Sequence, residues 1–322
     1  MYVVTGGAGF IGSAFLHKLN QEGIEDIIVV DELGTSPKWL NLLGKGYIDY
    51  IHKDQFLEHL EAGRYRGQIS CIVHMGACSA TTEENADYLM ENNFHYTRTL
   101  CEYCLDNGVR FIYASSAATY GDGSLGFSDD YEKTSTYRPL NRYGYSKQLF
   151  DLWAIRKKIT DSVVGLRFFN VYGPNEDHKG SMRSVVHKAY HELKENGEIS
   201  LFRSYRPDYK DGEQKRDFIY VKDCTETLWW FTNNTRTNGI FNLGTGKARS
   251  WNDLANSICT ALGVEPRIQY KEMPENLINQ YQYFTEAEMR NLENSGCPLP
   301  QTSLEDGVRD YVLNYLEAEK LL

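Results

Sequence analysis

The segment from Tyr2 to Leu19 restricts the fold of this chain more than any other stretch. β-Branched and aromatic residues at 2–5 indicate a strand, and the run Gly6-Gly7-Ala8-Gly9-Phe10-Ile11-Gly12 follows at once. Apolar residues at helical spacing come next, so the order is strand, glycine turn, helix. Glycines there allow a tight turn, a close approach to a pyrophosphate, and packing of helix on strand. With the free N–H groups of the helix N-terminus, this segment predicts a dinucleotide site in a doubly wound α/β fold.

Asp31 ends a continuously apolar run, 27–31, that is typical of a parallel strand buried on both faces. It lies about twenty residues past the glycine turn, where a carboxylate accepts hydrogen bonds from the adenine ribose, although alone it could cap the next turn. Together with the glycines it indicates a nicotinamide dinucleotide. The acid favours NAD, since it would repel the 2′-phosphate of NADP, whereas Lys38 and Lys53 could neutralise that phosphate. The two signals conflict.

Three further strand-like segments, 47–52, 71–77 and 109–116, continue the strand–helix alternation and predict a parallel sheet. Ligands bind at the carboxyl ends of such strands, which makes residues 76–79 candidate cofactor neighbours. The alternation weakens after Pro174. We therefore predict a dinucleotide-binding domain at 1–170, joined by a returning segment at 240–262, and a smaller mixed α/β substrate domain at 171–239 and 263–322.

Charge and cysteine content exclude several classes of protein. A net charge of −10 over 322 residues argues against a nucleic-acid partner. The chain starts directly with its first strand and has no apolar run of membrane-spanning length, so we expect a soluble cytoplasmic protein. Seven scattered cysteines fit reduced thiols. Cys101 and Cys104 form a C-x-x-C without a second ligand pair, and we predict buried thiols and no metal site.

Tyr143 and Lys147 form a Tyr-x-x-x-Lys pattern at the start of an apparent helix, which places them on one helix face. A tyrosine has an ordinary pKa of about 10, too high for a base at neutral pH. A nearby ammonium and an oxidised nicotinamide both favour the phenolate, so we expect them to lower the pKa of Tyr143. Alone, the pattern is also common on exposed amphipathic helices.

Four motifs together carry a resemblance. They are Thr5–Gly12, Tyr113-Ala114-Ser115-Ser116-Ala117-Ala118-Thr119-Tyr120-Gly121, Tyr143-x-x-x-Lys147 and Arg167-Phe168-Phe169-Asn170-Val171-Tyr172-Gly173-Pro174. In this order they resemble the extended short-chain dehydrogenase/reductase family. The resemblance implies that Ser116 hydrogen bonds the reacting oxygen, that Tyr143 is the acid/base, and that Lys147 holds the nicotinamide ribose. Asn170 would lie at the edge of the substrate.

Further segments narrow the resemblance to epimerases of ADP-linked heptoses: 34–39, 76–83, His178-Lys179-Gly180-Ser181-Met182, 215–223 and 280–285. It implies inversion of C6 in ADP-D-glycero-D-manno-heptose for lipopolysaccharide synthesis. The hydride leaves C6 for the cofactor and returns to the opposite face, with Tyr143 and Lys179 as two acid/base groups. Without the resemblance, we would interpret Lys179 as an exposed loop charge or a phosphate contact. The family usually uses NADP and is commonly a homo-oligomer, often a pentamer.

The strand ends and the resemblance together imply two sets of contacts. The cofactor set is Gly6, Gly9, Phe10, Ile11, Gly12, Asp31, Glu32, Lys38, Lys53, Met75, Gly76, Ala77, Cys78, Ser79, Asn92, Lys147, Val171 and Lys179. The substrate set is Asn170, Ser181, Lys188, Phe202, Arg203, Ser204, Arg216 and Tyr281. Arg216 is the expected clamp for the pyrophosphate, because guanidinium offers bidentate donors; the alternative is an ion pair with Asp217.

Two departures from the family pattern leave contacts open. The stretch 205–215 is longer than the usual link and puts contacts near Ser204 in doubt. The family's substrate-contacting histidine falls at Lys188, with His187 one place earlier, and either could take the role, or neither.

Two other functions remain as alternatives. One is a UDP-hexose 4-epimerase of the same family, and the other is a non-catalytic sensor that binds NADP. A 4,6-dehydratase is disfavoured because it would carry an Asp-Glu pair where Ala117-Ala118 follows Ser116. The sensor is disfavoured because Ser116, Tyr143 and Lys147 are all present.

Overall fold

The computed structural model describes residues 1–278 and 281–322, so Gln280 of the last quoted segment lies outside the described residues. The strands are β1 Tyr2–Thr5, β2 Ile27–Asp31, β3 Asp49–His52, β4 Cys71–His74, β5 Arg110–Ser116, β6 Val164–Phe168, β7 Asn170–Tyr172, β8 Ile199–Phe202, β9 Lys215–Tyr220, β10 Gly239–Leu243, β11 Ala248–Ser250 and β12 Ile268–Lys271.

The helices are α1 Phe10–Gln21, α2 Lys53–Glu61, α3 Ala86–Leu89, α4 Tyr96–Asn107, α5 Tyr131–Thr134, α6 Arg142–Lys157, α7 Val185–Asn196, α8 Val221–Asn233, α9 Trp251–Leu262, α10 Glu275–Ile278, α11 Arg290–Asn294 and α12 Leu304–Tyr311. Short 3-10 helices span Pro37–Leu42, Ala117–Tyr120 and Asp177–Met182, and π-helical turns span Met90–His95 and Val312–Leu316.

Within the described residues, seven strands form one parallel sheet in the order β10-β6-β5-β4-β1-β2-β3. Buried aliphatic side chains fill both faces of its central strands, as the unbroken apolar runs predict. The strand order reverses between β1 and β4, and a doubly wound sheet opens a cleft at such a reversal. The predicted fold class is confirmed.

The predicted strands are present, with shifted ends. β3 begins at Asp49 and β5 at Arg110, and β4 ends at His74 instead of continuing to residue 77. Residues 75–77 therefore form the loop after β4, where their backbone faces the cleft. Cys101 and Cys104 are buried free thiols on α4, as predicted.

A three-stranded sheet (β11-β9-β7) and a two-stranded sheet (β12-β8) form the smaller part of the molecule. They share an apolar cluster with residues of α7, α9 and α12. β10 joins the large sheet, whereas α9 packs against α7 and α12, and α8 packs against α1. Because of these contacts, the 240–262 segment and the 171–239 segment each contribute both to the large-sheet part and to the smaller part of the molecule. The predicted boundaries of the two domains stay a prediction.

No helix in the described parts of the chain combines the length and apolar character needed to cross a membrane.

Candidate active site

The carboxyl ends of β1, β2, β4 and β5 open onto one cavity of about 800 Å³. All the predicted cofactor residues and all four predicted catalytic residues line it. Because parallel strands end at the same edge of the sheet, residues far apart in sequence converge here. The cavity therefore joins the glycine turn to the Tyr143 and Lys179 segments.

The glycine turn leaves no space for side chains on its inner face. Gly6 has a φ of 63°, in the left-handed region that favours glycine. A Cβ placed on Gly12 would lie 2.1 Å from the Gly6 carbonyl oxygen, and one on Gly6 would lie 2.6 Å from the Gly76 nitrogen. The backbone thus packs closely enough to present the N-terminus of α1 directly to a phosphate, and the turn fits the pyrophosphate of a dinucleotide.

Asp31 accepts hydrogen bonds from the protein's own backbone and also lines the cavity. Its Oδ2 accepts a hydrogen bond from the Ala8 N–H (2.9 Å), and its Oδ1 accepts from the Glu32 N–H (2.7 Å). The same Oδ1 forms an ion pair with Lys38 Nζ at 2.7 Å. Lys53 lines the same corner, 3.5 Å from Glu32 Oε2. The charge of Asp31 is therefore balanced within the chain, which the sequence did not specify.

A π-helical turn at Met90–His95 places two adjacent asparagines differently, and such turns often occur at functional sites. Asn92 lines the cavity. Asn93 is buried, accepts a hydrogen bond from the Cys78 N–H (2.8 Å) and donates to the Cys78 carbonyl (3.0 Å) and to Ser146 Oγ (3.0 Å). Asn93 thus ties the loop after β4 to the helix that carries Tyr143.

Tyr143 lies in the first turn of α6, which is capped by the Asn141 side chain accepting from the Gly144 N–H at 2.8 Å. A Cβ on Gly144 would lie 2.6 Å from the Ala118 carbonyl oxygen, so glycine lets the helix start close to the end of β5. This approach brings Tyr143 and Lys147 into the same cavity as Ser116, as predicted.

The protonation of this group differs from the sequence-based expectation. Burial raises the pKa of Tyr143, and Ser116 opposes that rise. Lys147 donates from Nζ to the Ala114 carbonyl at 2.8 Å, and burial lowers its own pKa to about 8 while Asp151 opposes the decrease. The prediction that Lys147 lowers the pKa of Tyr143 is wrong for the chain's own residues, because burial outweighs the opposing effect of Ser116 and the Lys147 ammonium donates to the Ala114 carbonyl.

Lys179 lies on the 3-10 helix Asp177–Met182 and lines the cavity, half-buried, with Nζ 5.1 Å from the centre of the Phe10 ring. Burial lowers its pKa, with Glu176 opposing and Lys188 adding to the decrease. The interpretation of Lys179 as an exposed loop charge is therefore wrong. A lowered pKa makes an amine easier to deprotonate than an exposed lysine, which is the direction that a proton-transfer group needs.

Arg216 and Tyr281 lie outside this cavity, in a second group. The Arg216 guanidinium stacks on Trp251 (5.6 Å) and Tyr281 (5.2 Å), and Trp251 Nε1 donates to the Tyr281 hydroxyl at 2.9 Å. Phe202 packs edge-on against Tyr281. β7 connects the two groups, since Val171 lines the cavity and β7 pairs with β9, the strand that carries Arg216.

Arg216 is 7% exposed, and burial lowers its pKa. Among the described residues no carboxylate forms an ion pair with it. Asp217 instead accepts from the backbone N–H groups of Thr245, Gly246 and Ala287. The Arg216–Asp217 ion pair is therefore ruled out. A buried cation without a counter-charge is costly, and an anionic ligand would relieve that cost.

His187 and Lys188, the two candidates for the family's substrate-contacting histidine, differ in how exposed their side chains are. His187 is buried, with Nε2 2.7 Å from Asp177 Oδ1, whereas Lys188 is exposed on α7. Ser181 is exposed at the end of the Lys179 helix. Lys188 is therefore the residue of the two whose side chain is exposed and makes no hydrogen bond to another described residue.

The two other predicted substrate contacts already have protein partners. Arg203 forms an ion pair with Glu272 at 3.0 Å. The Ser204 N–H donates to Asp211 Oδ1 (2.8 Å), and its hydroxyl donates to the Arg206 carbonyl (3.0 Å). Asp211 and Arg206 both belong to the long stretch 205–215, so this stretch uses the hydrogen-bonding groups of Ser204.

Several cavity residues were not predicted: Tyr88, Phe168, Phe169, His178 and Met182. Burial lowers the pKa of His178 to about 4, with the nearby Lys179 and Lys38 ammonium groups acting in the same direction. His178 belongs to the same quoted segment as Lys179, 178–182, and that was its only signal in the sequence. Phe168 and Phe169 carried no signal beyond their place in the Arg167–Pro174 motif, and Tyr88 carried none.

Three features that meet in one cleft define the class of protein. They are the strand–glycine-turn–helix unit, the Tyr-x-x-x-Lys pair and a serine. Residues 2–244 match the model of the NAD dependent epimerase/dehydratase family, and the chain belongs to that family.

Two relatives extend the match to the full length. A protein from Nitratidesulfovibrio vulgaris named ADP-L-glycero-D-manno-heptose-6-epimerase is 59% identical over 318 residues, covering 99% of this chain and 98% of that protein. A protein of the same name from Fusobacterium nucleatum is 49% identical and covers 99% of both chains.

Solved structures agree with the fold. The ADP-L-glycero-D-manno-heptose-6-epimerase of Helicobacter pylori matches with a TM-score of 0.82 and 27% identity, covering 97% of this chain and 95% of that chain. A UDP-glucose 4-epimerase from Thermus thermophilus in complex with NAD matches with a TM-score of 0.77 and 25% identity, covering 97% of each chain.

Proposed function

We propose that this chain converts ADP-D-glycero-D-manno-heptose to ADP-L-glycero-D-manno-heptose by inverting C6. The observation that carries the proposal is that Tyr143 and Lys179, the two groups proposed to transfer protons, line the same cavity as the glycine turn. The 59% identity to a named heptose 6-epimerase over nearly the whole chain supports the same substrate.

Inversion of C6 requires that the hydride leave one face of the carbon and return to the other. A nicotinamide dinucleotide in this cavity would take that hydride and return it, so that no net oxidation occurs. Loss of hydride from C6 and of the proton from its hydroxyl would leave a ketone at C6, and after that carbonyl rotates its oxygen points to the opposite side of the site. Tyr143, with Ser116 beside it, serves the oxygen in one orientation, and Lys179 serves it in the other. Each group removes the C6 hydroxyl proton in one direction and restores it in the reverse.

The ADP part of the substrate is proposed to extend toward Arg216. The buried guanidinium, which has no carboxylate partner among the described residues, supports a pyrophosphate ligand, and it lies over the Trp251 and Tyr281 rings. The family resemblance supports a cytoplasmic homo-oligomer, commonly a pentamer, that supplies heptose for lipopolysaccharide.

Turnover of purified protein tests the proposal. We expect ADP-D-glycero-D-manno-heptose to give its L-glycero epimer without added reductant, as followed by chromatographic separation of the two epimers. Unchanged heptose together with epimerisation of UDP-galactose would instead establish the 4-epimerase. No turnover of either sugar, with dinucleotide still bound, would favour the sensor.

Separate substitutions test the two acid/base groups. We expect Tyr143→Phe and Lys179→Met each to reduce kcat by about 100-fold to 10,000-fold, the range for a lost general acid or base, with cofactor still bound. Tyr145→Phe, on the exposed side of the same helix, is the matched control and should keep full activity. Wild-type activity in Lys179→Met would contradict the two-base mechanism.

We propose NADP as the bound cofactor. The ion pair between Lys38 and Asp31 supports this choice, because a balanced carboxylate repels a 2′-phosphate less, and Lys53 adds a second cation at the same corner. The test is to denature the protein and identify the released dinucleotide. We expect NADP from the wild type and a shift toward NAD in Lys38→Met, whereas the control Lys247→Met, an exposed lysine outside the cavity lining, keeps NADP. NAD from the wild type would overturn the choice.

A further inference from the structure

Asn41 connects three parts of the cavity wall through one buried amide group. It is 3% exposed and lies on the 3-10 helix Pro37–Leu42. Its Nδ2 donates to the carbonyl oxygens of Ala8 (3.0 Å) and Asn175 (3.1 Å) and lies 3.2 Å from His178 Nδ1. Ala8 belongs to the glycine turn, and His178 adjoins Lys179.

Asn175 makes the second link between the same segments. It is fully buried and has a φ of 77°, a left-handed conformation that is uncommon for residues other than glycine. Its Nδ2 donates to Ser13 Oγ on α1 at 3.0 Å. A residue in this conformation persists when its surroundings hold it there, and the bonds to Asn41 and Ser13 do so. The backbone that leads to Lys179 is thereby fixed to the glycine turn.

The 3-10 helix Pro37–Leu42 therefore acts on both sides of the cavity. Lys38 on this helix forms an ion pair with Asp31 at the corner assigned to the adenine ribose. Asn41, one helical turn later, holds the segment that carries Lys179. Phe10 of α1 completes the connection, because its ring lies under the Lys179 ammonium group.

We propose that Asn41 is a positioning residue for Lys179, holding its 3-10 helix against the glycine turn so that the amine reaches the substrate. The inference rests on the proposed function, since it takes Lys179 to be an acid/base group. A misplacement of about 1 Å can cost a hundredfold in rate, so loss of this amide should impair the step that uses Lys179. The step that uses Tyr143 should be spared, because Tyr143 is held separately by α6 and the end of β5.

The two half-reactions separate these roles. Each epimer is mixed with excess enzyme, and the reduced nicotinamide formed in a single turnover is followed by its absorbance. The epimer whose oxidation fails in Lys179→Met defines the Lys179-dependent direction. In Asn41→Leu, which keeps the side-chain size but removes the donor, we expect that direction to slow by about a hundredfold and the other by no more than about twofold.

Asn20→Leu is the matched control. Asn20 also donates to two backbone carbonyls, those of Ile24 (2.9 Å) and Gly46 (2.8 Å), but it lies outside the cavity lining. We expect it to lower the melting temperature without selectivity between the epimers. Equal slowing of both directions in Asn41→Leu, or no slowing, would overturn the proposal. If Asn41→Leu does not fold, Ser13→Ala removes the acceptor of Asn175, together with the bond from Ser13 Oγ to the Phe10 carbonyl, and should show the same selectivity with a smaller loss.

A measurement without substrate distinguishes failure of this inference from failure of the proposed function. Lys179 is acetylated at a series of pH values with dinucleotide bound, and its modification is quantified by mass spectrometry. In the wild type we expect the midpoint below that of an ordinary lysine, because the amine is half-buried. Glu176, Lys188 and His178 face the amine and are unchanged in the variant. In Asn41→Leu the midpoint should rise, and an unchanged midpoint would refute the role of Asn41 whichever sugar the enzyme uses.

Discussion

The cofactor half of the site and the substrate half are built differently. Around the cavity, the backbone of the glycine turn packs directly against the backbone of the loop after β4, and the Asp31 and Asn93 side chains hold that backbone in place. Around Arg216, side chains meet other side chains, with Trp251 and Tyr281 stacked on the guanidinium. The first arrangement follows from a local sequence motif, whereas the second depends on elements distant in the chain. We therefore expect the cofactor half to tolerate almost no added volume, and the substrate half to depend on particular side-chain chemistry.

Gly12→Ala is the strongest test of the backbone-built half. The added methyl group would lie 2.1 Å from the Gly6 carbonyl oxygen, far inside van der Waals contact. We expect the glycine turn to open, with a loss of about 1–3 kcal/mol of folding free energy, no dinucleotide in the purified protein and no turnover. Dinucleotide content is measured by absorbance after denaturation.

Gly108→Ala is the control for that test. Gly108 has a φ of 65° at the end of α4, and a Cβ there meets nothing within 4 Å. We expect a small loss of stability, about 1 kcal/mol, and full retention of dinucleotide. Normal dinucleotide content in Gly12→Ala would show that the turn is more adaptable than its packing indicates.

Arg216→Lys tests the side-chain-built half, with an intermediate effect. Lysine keeps the charge but loses the planar group that stacks between two rings and binds pyrophosphate bidentately. We expect KM to rise about 10-fold to 100-fold with kcat little changed, since a hydrogen bond to a charged group contributes about 1.5–3 kcal/mol.

Arg206→Lys is the matched comparison. Arg206 also stacks on two rings, Tyr209 (5.5 Å) and Tyr283 (5.2 Å), but its side chain is 53% exposed and pairs with Asp208. Since an exposed ion pair contributes little, we expect KM to change by less than about threefold. Equal effects of the two substitutions would place the pyrophosphate away from Arg216.

The cofactor half is also expected to be sensitive to acid. His74 is buried, with Nδ1 2.5 Å from Thr5 Oγ1 and Nε2 2.8 Å from Thr97 Oγ1, and burial lowers its pKa to about 3. In the unfolded chain the His74 imidazole therefore binds a proton below about pH 6.5, whereas in the folded chain it stays neutral down to about pH 3. Stability contributed by the neutral imidazole is present above pH 6.5 and is lost as the pH falls.

His74→Gln tests this sign. We expect the free energy of unfolding of the wild type to fall more steeply between pH 6 and pH 4 than that of the variant, by up to about 1.4 kcal/mol per pH unit. Denaturant titrations at several pH values measure both slopes. Parallel slopes would show that His74 is not responsible for the loss.

Sequence patterns predicted the cofactor half well for a physical reason. A parallel strand buried on both faces needs an unbroken apolar run, and a turn that approaches its neighbours this closely needs glycine. β1, β2 and the glycine turn therefore left clear signals, and the positions of Tyr143 and Lys147 followed from helix periodicity. The boundaries of β3 and β4 were less accurate, because strand ends depend on pairing with neighbouring strands.

The remaining features depended on contacts between distant segments. The sequence suggested either a ribose contact or a turn cap for Asp31, and the structure adds the Lys38 ion pair and the bond from the Ala8 N–H. The sequence left an ion pair between Arg216 and Asp217 as one alternative. The two residues are consecutive on β9, and because side chains alternate along a strand they point to opposite faces of the sheet. The prediction that Lys147 lowers the pKa of Tyr143 was wrong. The direction in which an ammonium group points depends on its hydrogen-bond acceptor, which for Lys147 is the Ala114 carbonyl.

What the sequence alone determined is the class of fold, the dinucleotide turn and the set of residues at the strand ends, since these rest on local backbone geometry and on apolar periodicity. The tertiary structure decided the charge balance of Asp31, the burial of Lys179 and the link from Asn41 to Asn175, a residue 134 positions away. Such contacts join residues whose spacing along the chain carries no information about their distance in space. Only the packing of the 3-10 helix Pro37–Leu42 against the Lys179 segment brings them together.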